Sequence, residues 1–253
     1  MSRGHFAAAV LAATLALAAP SAASANSFPL VGWWPMNEGK GQTVKDWSGK
    51  GNHGFLGSTP QADANDPSWI RGVFLGSALR FDGVDDFVTI PDSSAQEPAR
   101  LTVAAWVRSN GSPGAYRYIL SKGAFECERS AYGLYSSENG GLAFYISDAT
   151  TWYRSPEADP GIWDGAWHHV AGTYDGRTVR LFVDGKQVGA GTPATTTIDY
   201  ATPVGGAAMG GYQGTCDMSF YLSGDIDGVQ LWSQALPIDS IWRTLRSLFS
   251  LAK

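Results

Sequence analysis

The chain has 253 residues, a formal net charge of −5 at pH 7, and hydrophobic residues at 44% of its positions. This mild acidity, without any block of basic residues, argues against nucleic acid and against an anionic membrane surface as partners. Its 31 glycines, 10 tryptophans and 10 tyrosines are typical of a turn-rich β protein with aromatic surfaces.

The N-terminal segment predicts a secretory signal peptide. Arg3 lies in a short positive start, an apolar run covers residues 6–19, and Ala23-Ser24-Ala25 has the small-x-small pattern of a cleavage site. The apolar run is too short to span a bilayer comfortably, and no stop-transfer charges follow it. We therefore expect a secreted, extracellular protein without a membrane span, in which residues 1–25 are removed and residues 26–253 form one domain.

Short stretches of alternating apolar and polar residues follow the leader, and each of them predicts a β-strand. A final stretch around Trp242 has helical spacing and predicts a short C-terminal amphipathic helix. The segment from Thr192 to Gly214 is rich in glycine, threonine and proline, and it predicts loops around one edge strand. The predicted strands cover residues 31–36, 79–81, 87–90, 101–108, 118–121, 132–135, 142–146, 151–155, 167–174, 179–183, 186–188, 220–222 and 226–232.

The stretch from Gly161 to Gly189 predicts an antiparallel meander with one buried face. Two Asp-Gly pairs, Asp175-Gly176 and Asp184-Gly185, stand between extended runs. Such a pair predicts a tight hairpin, because glycine adopts positive φ without steric cost. Between the two pairs, aliphatic residues occupy every second position, which places them on one face of a strand.

This stretch and three others resemble segments of a known family. The four are Trp167–Gly176 with Leu181–Gly185, Ala78–Val88, Leu101–Val107 and Gly224–Trp232. In order and spacing they resemble the LamG-like jellyroll family, which belongs to the concanavalin A-like lectin/glucanase superfamily. The resemblance implies an all-β fold, an antiparallel two-sheet β-sandwich of the jelly-roll type, to which the short C-terminal helix is added. It implies little about function by itself, because one fold hosts many activities.

Paired carboxylates are the first place to look for catalysis, since this superfamily includes glycosidases and polysaccharide lyases. Asp225 and Asp227 have i, i+2 spacing, which places both on one face of a strand, as a retaining glycosidase needs. The glucanase-type pattern on this fold is Glu-x-Asp-x-x-Glu, however, and here Asp225 stands at its first position and Gln230 at its last. We therefore predict no catalytic residues and no enzyme activity, with a glycoside hydrolase or polysaccharide lyase as the alternative.

Oxygen-bearing side chains near the first and last strands predict structural calcium. If these two strands pair antiparallel, Asp225 and Asp227 approach the loop that holds Asp46 and Asn52. Calcium takes such carboxylate and amide oxygens as ligands, and the resemblance implies it further, because many members of the superfamily bind structural calcium. The alternative is that Asp46 and Asn52 only hydrogen-bond their own turns.

Aromatic residues on or near predicted loops form the candidate ligand face. Sugar binding needs exposed aromatic rings beside hydrogen-bonding side chains, whereas tryptophans inside strand motifs belong to the core. The ligand face is predicted to contain Trp152, Tyr153, Tyr116, Tyr118, Tyr212, Asp148 and Arg154. We predict a monomeric, non-catalytic, lectin-like module that binds an extracellular polysaccharide or glycan. An adhesion module with a protein partner is the further alternative.

Cys127 and Cys216 are the two cysteines of the chain, and we predict that they form a disulfide. The signal peptide sends the chain to an oxidising compartment, where disulfides persist. The resemblance implies the pairing as well, because secreted relatives often carry a cysteine in each of these places. Two free thiols and an intermolecular bridge stay open as alternatives.

Overall fold

A computed structural model describes residues 1, 29–73, 76–126, 129–212, 220–237 and 239–240. Within them the chain forms two antiparallel β-sheets that pack face to face, which confirms the predicted all-β sandwich. Two single-turn helices, Ser94–Gln96 and Pro160–Ile162, lie in its connections. The predicted cleavage site and most of the predicted C-terminal helix lie outside the described residues. None of the helices formed by these residues is long and apolar enough to cross a membrane.

One sheet contains nine of the strands that the structure describes. They are β1 (Leu30–Trp34), β4 (Ser68–Arg71), β5 (Ser77–Asp82), β7 (Leu101–Arg108), β12 (His168–Tyr174), β13 (Thr178–Val183), β14 (Lys186–Gln187), β15 (Thr192–Pro193) and β17 (Ser223–Trp232). Their order is β14-β13-β12-β7-β17-β5-β4, with β1 also paired to β17 and β15 to β13. The first and last strands do pair antiparallel, and β17 lies in the interior of the sheet.

The second sheet contains the other eight described strands. They are β2 (Thr43–Val44), β3 (Gly54–Leu56), β6 (Val88–Ile90), β8 (Tyr118–Ala124), β9 (Tyr132–Ser136), β10 (Leu142–Ser147), β11 (Trp152–Arg154) and β16 (Val204–Met209). Their order is β11-β10-β9-β8-β16-β6-β3-β2.

Two of the predicted strands are wrong in detail. The glycine-rich segment contains two strands and not one edge strand: β15 pairs only with β13 at the edge of its sheet, whereas β16 lies in the interior of the other sheet, between β8 and β6. Its small residues reflect a close approach of the chain, because a Cβ atom at Gly206 would lie 1.9 Å from the carbonyl oxygen of Ile90. Residues 220–222 form no strand, and β17 begins only at Ser223.

The core lies between the two sheets and follows the predicted alternation. In β7 the odd-numbered residues from Leu101 to Val107 belong to the core, while Arg108 faces outwards. At one point the sheets approach so closely that only glycine fits, since a Cβ atom at Gly172 would lie 2.0 Å from the Phe144 ring. The predicted hairpin at Asp184-Gly185 is confirmed, with the two positive φ values, 47° and 77°, of a type I′ turn.

Candidate functional site

A cluster of aromatic side chains covers the outer face of the eight-stranded sheet. Alternation along β8, β9 and β10 turns Tyr118, Tyr135 and Tyr145 away from the core. Tyr118 lies directly opposite Tyr135 in the ladder, and their rings are 5.5 Å apart, within the range of aromatic stacking. We use the name aromatic face for the set Tyr116, Tyr118, Tyr135, Tyr145, Trp152, Tyr212 and Phe220.

Three hydroxyl groups of the aromatic face, those of Tyr118, Tyr145 and Tyr212, are hydrogen-bonded inside the protein. The Tyr145 hydroxyl accepts a hydrogen bond from the backbone N–H of Ser130 at 2.9 Å and lies 3.0 Å from the Tyr118 hydroxyl. The Tyr212 hydroxyl donates to the carbonyl oxygen of Arg129 at 2.8 Å. Burial raises the pKa of Tyr118 well above its usual value and the pKa of Tyr212 to about 12. The base of the aromatic face is therefore fixed and uncharged.

Trp152 and Tyr116 form the accessible part of the aromatic face. Trp152 is 49% exposed, and its ring lies 6.0 Å from that of Tyr145. Tyr116 is half-buried, stacks on Tyr135 at 6.5 Å, and has a φ of 60°, a strained conformation for a tyrosine that the surrounding structure must hold. The depression between the rings has a volume of about 50 Å³, so a ligand would lie across the face rather than inside it.

The structure brings five of the seven predicted ligand residues together. Four of them, Tyr116, Tyr118, Trp152 and Tyr212, belong to the aromatic face itself. The fifth, Arg154, lies beside it, with its guanidinium carbon 5.8 Å from the centre of the Trp152 ring. The first four come from three segments, at the start of β8, on β11 and just after β16, and the strand order of the eight-stranded sheet brings these segments together.

Tyr153 and Asp148 lie elsewhere. Tyr153 is adjacent to Trp152 on β11, so its side chain points to the opposite face and packs against the core. Its hydroxyl donates to Asp148 at 3.2 Å. The Asp148 carboxylate accepts hydrogen bonds from the backbone N–H groups of Thr150 and Thr151, so it closes the turn between β10 and β11.

Tyr135 and Tyr145 belong to the site although they are not among the predicted ligand residues. Both lie in predicted strands, and residues in strand motifs were assigned to the core. The alternation along the strands predicts their position. Each of these two tyrosines is next to a core residue in its strand, so its side chain must point to the outer face.

A second concave region lies on the outer face of the nine-stranded sheet, at the start of β17. It is a cleft of about 450 Å³, and Asp225, which is only 4% exposed, lines it. Arg80 on β5 and Arg108 on β7 are the cross-strand neighbours of Asp225 on either side. Arg80 Nε donates to Asp225 Oδ1 at 2.8 Å, and Arg108 Nη2 donates to Oδ2 at 2.6 Å. Because Asp82 and Asp86 line it too, we call this region the charged cleft.

Asp86 is a buried acid in the wall of the charged cleft, with 5% of its surface exposed. Burial raises its pKa to about 6, and repulsion from Asp82 and Asp85 adds to the effect, although the Asp82 backbone N–H donates to Asp86 Oδ2 at 2.8 Å. The carboxylate oxygens of these three residues lie within 4.8 Å of one another.

The residues predicted to hold calcium do not form one oxygen cage. Asp46 accepts hydrogen bonds from the backbone N–H groups of Trp33, Ser48 and Asn52, so it closes its own loop, which is the alternative left open by the sequence. Asn52 donates its side-chain amide to the Val31 carbonyl oxygen at 2.9 Å. Both side chains are therefore committed to holding this loop against β1.

Asp225 and Asp227 lie further along β17, away from that loop. Trp33, whose backbone N–H donates to Asp46, pairs with Gln230, and Asp227 and Asp225 are three and five positions from Gln230, roughly 10 Å and 16 Å at ~3.3 Å per residue. Asp225 is engaged by two arginines, and Asp227, with 0% exposure, accepts from the Val73 backbone N–H at 2.9 Å. The four predicted residues do not fit a shared calcium ion, and calcium binding itself stays a prediction.

Cys127 and Cys216 lie outside the described residues, so their disulfide stays a prediction as well. The chain near both cysteines meets at Tyr212. Its hydroxyl accepts from the Phe125 backbone N–H at 2.9 Å and contacts the Arg129 carbonyl oxygen at 2.8 Å.

The comparisons with known proteins agree with the two-sheet architecture. A family model described as the concanavalin A-like lectin/glucanases superfamily matches residues 82–241. The chain belongs to this superfamily. The resemblance predicted from the sequence is thereby confirmed. Comparison with curated proteins gives no match.

Solved structures of low sequence identity share the superfamily fold. Domain 4 of AbnA, a GH43 extracellular arabinanase from Geobacillus stearothermophilus in complex with arabinotriose, superposes with a TM-score of 0.62 at 15% identity, covering 84% of this chain and 96% of the domain. Trypanosoma rangeli sialidase in complex with the inhibitor DANA gives 0.56 at 17% identity, covering 87% of this chain but only 32% of the sialidase. The binding domain of Paraclostridial Mosquitocidal Protein 1 gives 0.55 at 11% identity, covering 87% and 52%. At these identities the likeness shows the fold alone.

Proposed function

We propose that the protein is a secreted, non-catalytic module that binds an extracellular polysaccharide or glycan through the aromatic face. One observation carries the proposal: the exposed indole of Trp152 stands on a base of buried tyrosines whose hydroxyl groups are already satisfied. Such a surface is preorganised, so a ligand that binds to it does not have to order the side chains first.

The chemistry of the aromatic face suits a sugar ring. The ring faces of a sugar carry C–H groups, which pack on the indole of Trp152 and on the Tyr116 ring. Its hydroxyl groups need hydrogen-bond partners at the rim, and the Arg154 guanidinium lies there, beside Trp152. A shallow, open surface fits a chain that lies across it, which favours a polysaccharide over a small enclosed ligand.

Binding without cleavage is supported by the positions of the carboxylates. The described residues around the depression are five tyrosines and tryptophans of the aromatic face together with Arg129, and none of them is an acid. A retaining glycosidase needs two accessible carboxylates about 5 Å apart. Asp225 is held by two arginines and Asp227 is fully buried, so this pair does not supply them. The likeness to a domain in complex with arabinotriose further supports a carbohydrate ligand.

Affinity electrophoresis across neutral soluble polysaccharides tests the binding. We expect at least one polysaccharide to retard the protein, and Trp152→Ala to weaken that interaction about tenfold, the effect of losing a central aromatic contact. Trp47→Ala is the matched control, since Trp47 is 42% exposed but lies away from the aromatic face, against Trp33. Equal retardation of both variants, or no retardation by any polysaccharide, would contradict the proposal.

A reducing-end assay with the retained polysaccharide tests the absence of catalysis. No product is expected after prolonged incubation. Release of reducing ends or of unsaturated products that Asp225→Asn abolishes would instead assign a hydrolase or a lyase to this chain.

The proposal includes secretion after removal of residues 1–25, a Cys127–Cys216 disulfide, structural calcium and a monomeric state. An intact mass equal to residues 26–253 less two hydrogen atoms would agree with the cleavage and the disulfide, and light scattering measures the oligomeric state. A melting temperature that is the same in EDTA and in excess calcium would remove the ion from the proposal.

A further inference from the structure

Arg80 and Arg108 bind Asp225 with the same edge of their guanidinium groups. In each arginine, Nε and Nη2 donate to the carboxylate, over distances of 2.6 Å to 3.2 Å. The Nη1 atoms of both have no hydrogen-bond partner in the described part of the chain. Arg108 is fixed further by Trp167, whose ring centre lies 4.7 Å from its guanidinium carbon. Each guanidinium group is therefore held in place and keeps a second edge, at Nη1, that can donate hydrogen bonds in the charged cleft.

Asp225 alone does not neutralise the two arginines. Two guanidinium groups share the single carboxylate of Asp225, and the hydrogen bond to Asp225 raises the pKa of Arg80, which therefore stays protonated. The side chains are still in contact with solvent, with exposures of 55% for Arg80 and 29% for Arg108. On the same sheet, by contrast, Arg180 pairs with Asp175 alone at 2.6 Å, and the two charges cancel.

The other wall of the charged cleft is acidic. Asp82 lies two residues after Arg80 on the same face of β5, about 7 Å along the strand, and Asp86 lines the cleft beside it. These carboxylates accept hydrogen bonds from hydroxyl groups, but they repel a dense anion such as phosphate or sulfate. The cleft thus favours a ligand that has one carboxylate at one end and hydroxyl groups at the other.

We propose that the charged cleft binds an acidic sugar residue, with its carboxylate on the free edges of Arg80 and Arg108 and its ring hydroxyls on Asp82 and Asp86. Planar guanidinium edges match a carboxylate geometrically. A cleft of about 450 Å³ is of the size that holds small ligands. A hexuronate and a sialic acid share this chemistry. The site lies on the opposite sheet from the aromatic face, so it does not rest on the function proposed there.

Amide NMR titrations of the full mature chain test this site. The probes are sodium glucuronate and N-acetylneuraminate. Glucose, which has the hydroxyl groups but no carboxylate, and sodium acetate, which has the carboxylate but no hydroxyl groups, are the matched controls. We expect one or both sugar acids to shift the backbone amides of Asn110, Gly165 and Gly224 saturably, and the sugar acid that does so identifies the source of the carboxylate. Glucose and acetate should each bind at least tenfold more weakly than that sugar acid, since each offers only half of the contacts.

Variants separate the arginine edges from general charge. Arg80→Gln should weaken the sugar acid roughly tenfold, as the loss of charged hydrogen bonds does, and Arg80→Lys should weaken it too, because lysine has no planar edge. Arg180→Gln is the matched control, and Trp152→Ala reports on the aromatic face; neither should change the titration. The proposal is overturned if no cleft amide moves, if acetate or glucose binds as well as the sugar acids, or if Arg80→Lys retains full affinity.

Discussion

The aromatic face and the charged cleft occupy the outer faces of the two sheets, and they treat their polar groups in opposite ways. On the aromatic face the hydroxyls of Tyr145 and Tyr212 are turned inwards and bonded to the backbone, so mainly ring surface reaches solvent. In the charged cleft Asp225 accepts hydrogen bonds from one edge of each arginine, and the other edge of each arginine faces solvent.

The difference shows how one sandwich can present two chemically different surfaces. The core uses every second residue of each strand, and the alternate residues are free for other chemistry. On the eight-stranded sheet those residues build a neutral platform. On the nine-stranded sheet they build a charge pattern, so the two surfaces should respond differently to mutation, pH and salt.

The largest expected effect comes from removing the base of the aromatic face. Tyr145→Ala deletes a ring that is 3% exposed, and it should lower the free energy of unfolding by about 4 kcal/mol, as for other large-to-small changes at buried rings. Tyr145→Phe keeps the ring but leaves the buried Ser130 N–H without its acceptor, a loss of about 1–3 kcal/mol. Urea unfolding measures both. Tyr221→Phe, whose hydroxyl has no bond to the described residues, should change stability little.

The second-largest expected effect is that of pH on the free energy of unfolding, through Asp86 in the charged cleft. The folded pKa of Asp86, about 6, lies above its ordinary value of 3.8, so the folded state binds a proton more tightly than the unfolded state. Stability should therefore fall as the pH rises from 4 to 6, by up to about 3 kcal/mol at ~1.4 kcal/mol per pKa unit.

Asp86→Asn should remove most of that slope, and chemical unfolding across this pH range measures it. Asp148, in the turn between β10 and β11, gives the opposite sign. Hydrogen bonds from the Thr150 and Thr151 backbones lower its pKa, so its contribution is lost as the pH falls below its ordinary value. A slope in Asp86→Asn equal to that of the original protein would show that another group titrates in the cleft.

A smaller effect is expected from ionic strength, which should change ligand affinity at the charged cleft but not at the aromatic face. Raising the ionic strength from about 0.01 M to about 0.15 M shortens the screening length from about 30 Å to about 8 Å. Binding of a sugar acid to the charged cleft should weaken roughly threefold over this range, whereas retention of a neutral polysaccharide by the aromatic face should not change. A salt-independent sugar-acid affinity would contradict a charge-based site.

The smallest expected effect lies outside both surfaces, at His168. Its ring nitrogens contact Asp184 at 2.7 Å and Asp164 at 3.1 Å, and these two acids raise its pKa even though burial opposes the shift. The stabilisation is complete below the unfolded pKa of about 6.5 and is lost as the pH rises through the higher folded value. His168→Gln should cost less than about 1 kcal/mol at pH 6, and less still at pH 9, in thermal melts.

Local features of the fold could be predicted from the sequence, because neighbouring residues decide them. The meander over β12, β13 and β14 follows from alternation and from two Asp-Gly turns. The interior position of β16 could not be predicted from its sequence. Its small residues are required by the close approach of a neighbouring backbone carbonyl, that of Ile90, and they show no alternating pattern.

The candidate sites were predicted only in part for the same reason. Rings such as Trp152 and Tyr116 stand out in a sequence because they lie at strand ends. The partners of Asp225 do not, because they are separated from it by 145 residues at Arg80 and 117 residues at Arg108. Only the register of three strands brings these charges together, and that register is a property of the whole sheet.

The position of β17 has a consequence for how the molecule is made. This strand is synthesised last among those described, yet it lies in the interior of the nine-stranded sheet and pairs with β1, β5 and β7. A growing chain can form its local hairpins early, but the sheet keeps a gap at its centre until residues 223–232 arrive. Such distant pairings make folding slow. The nine-stranded sheet therefore stays open until β17 has been made, and it closes in a step that joins β17 to β1, β5 and β7.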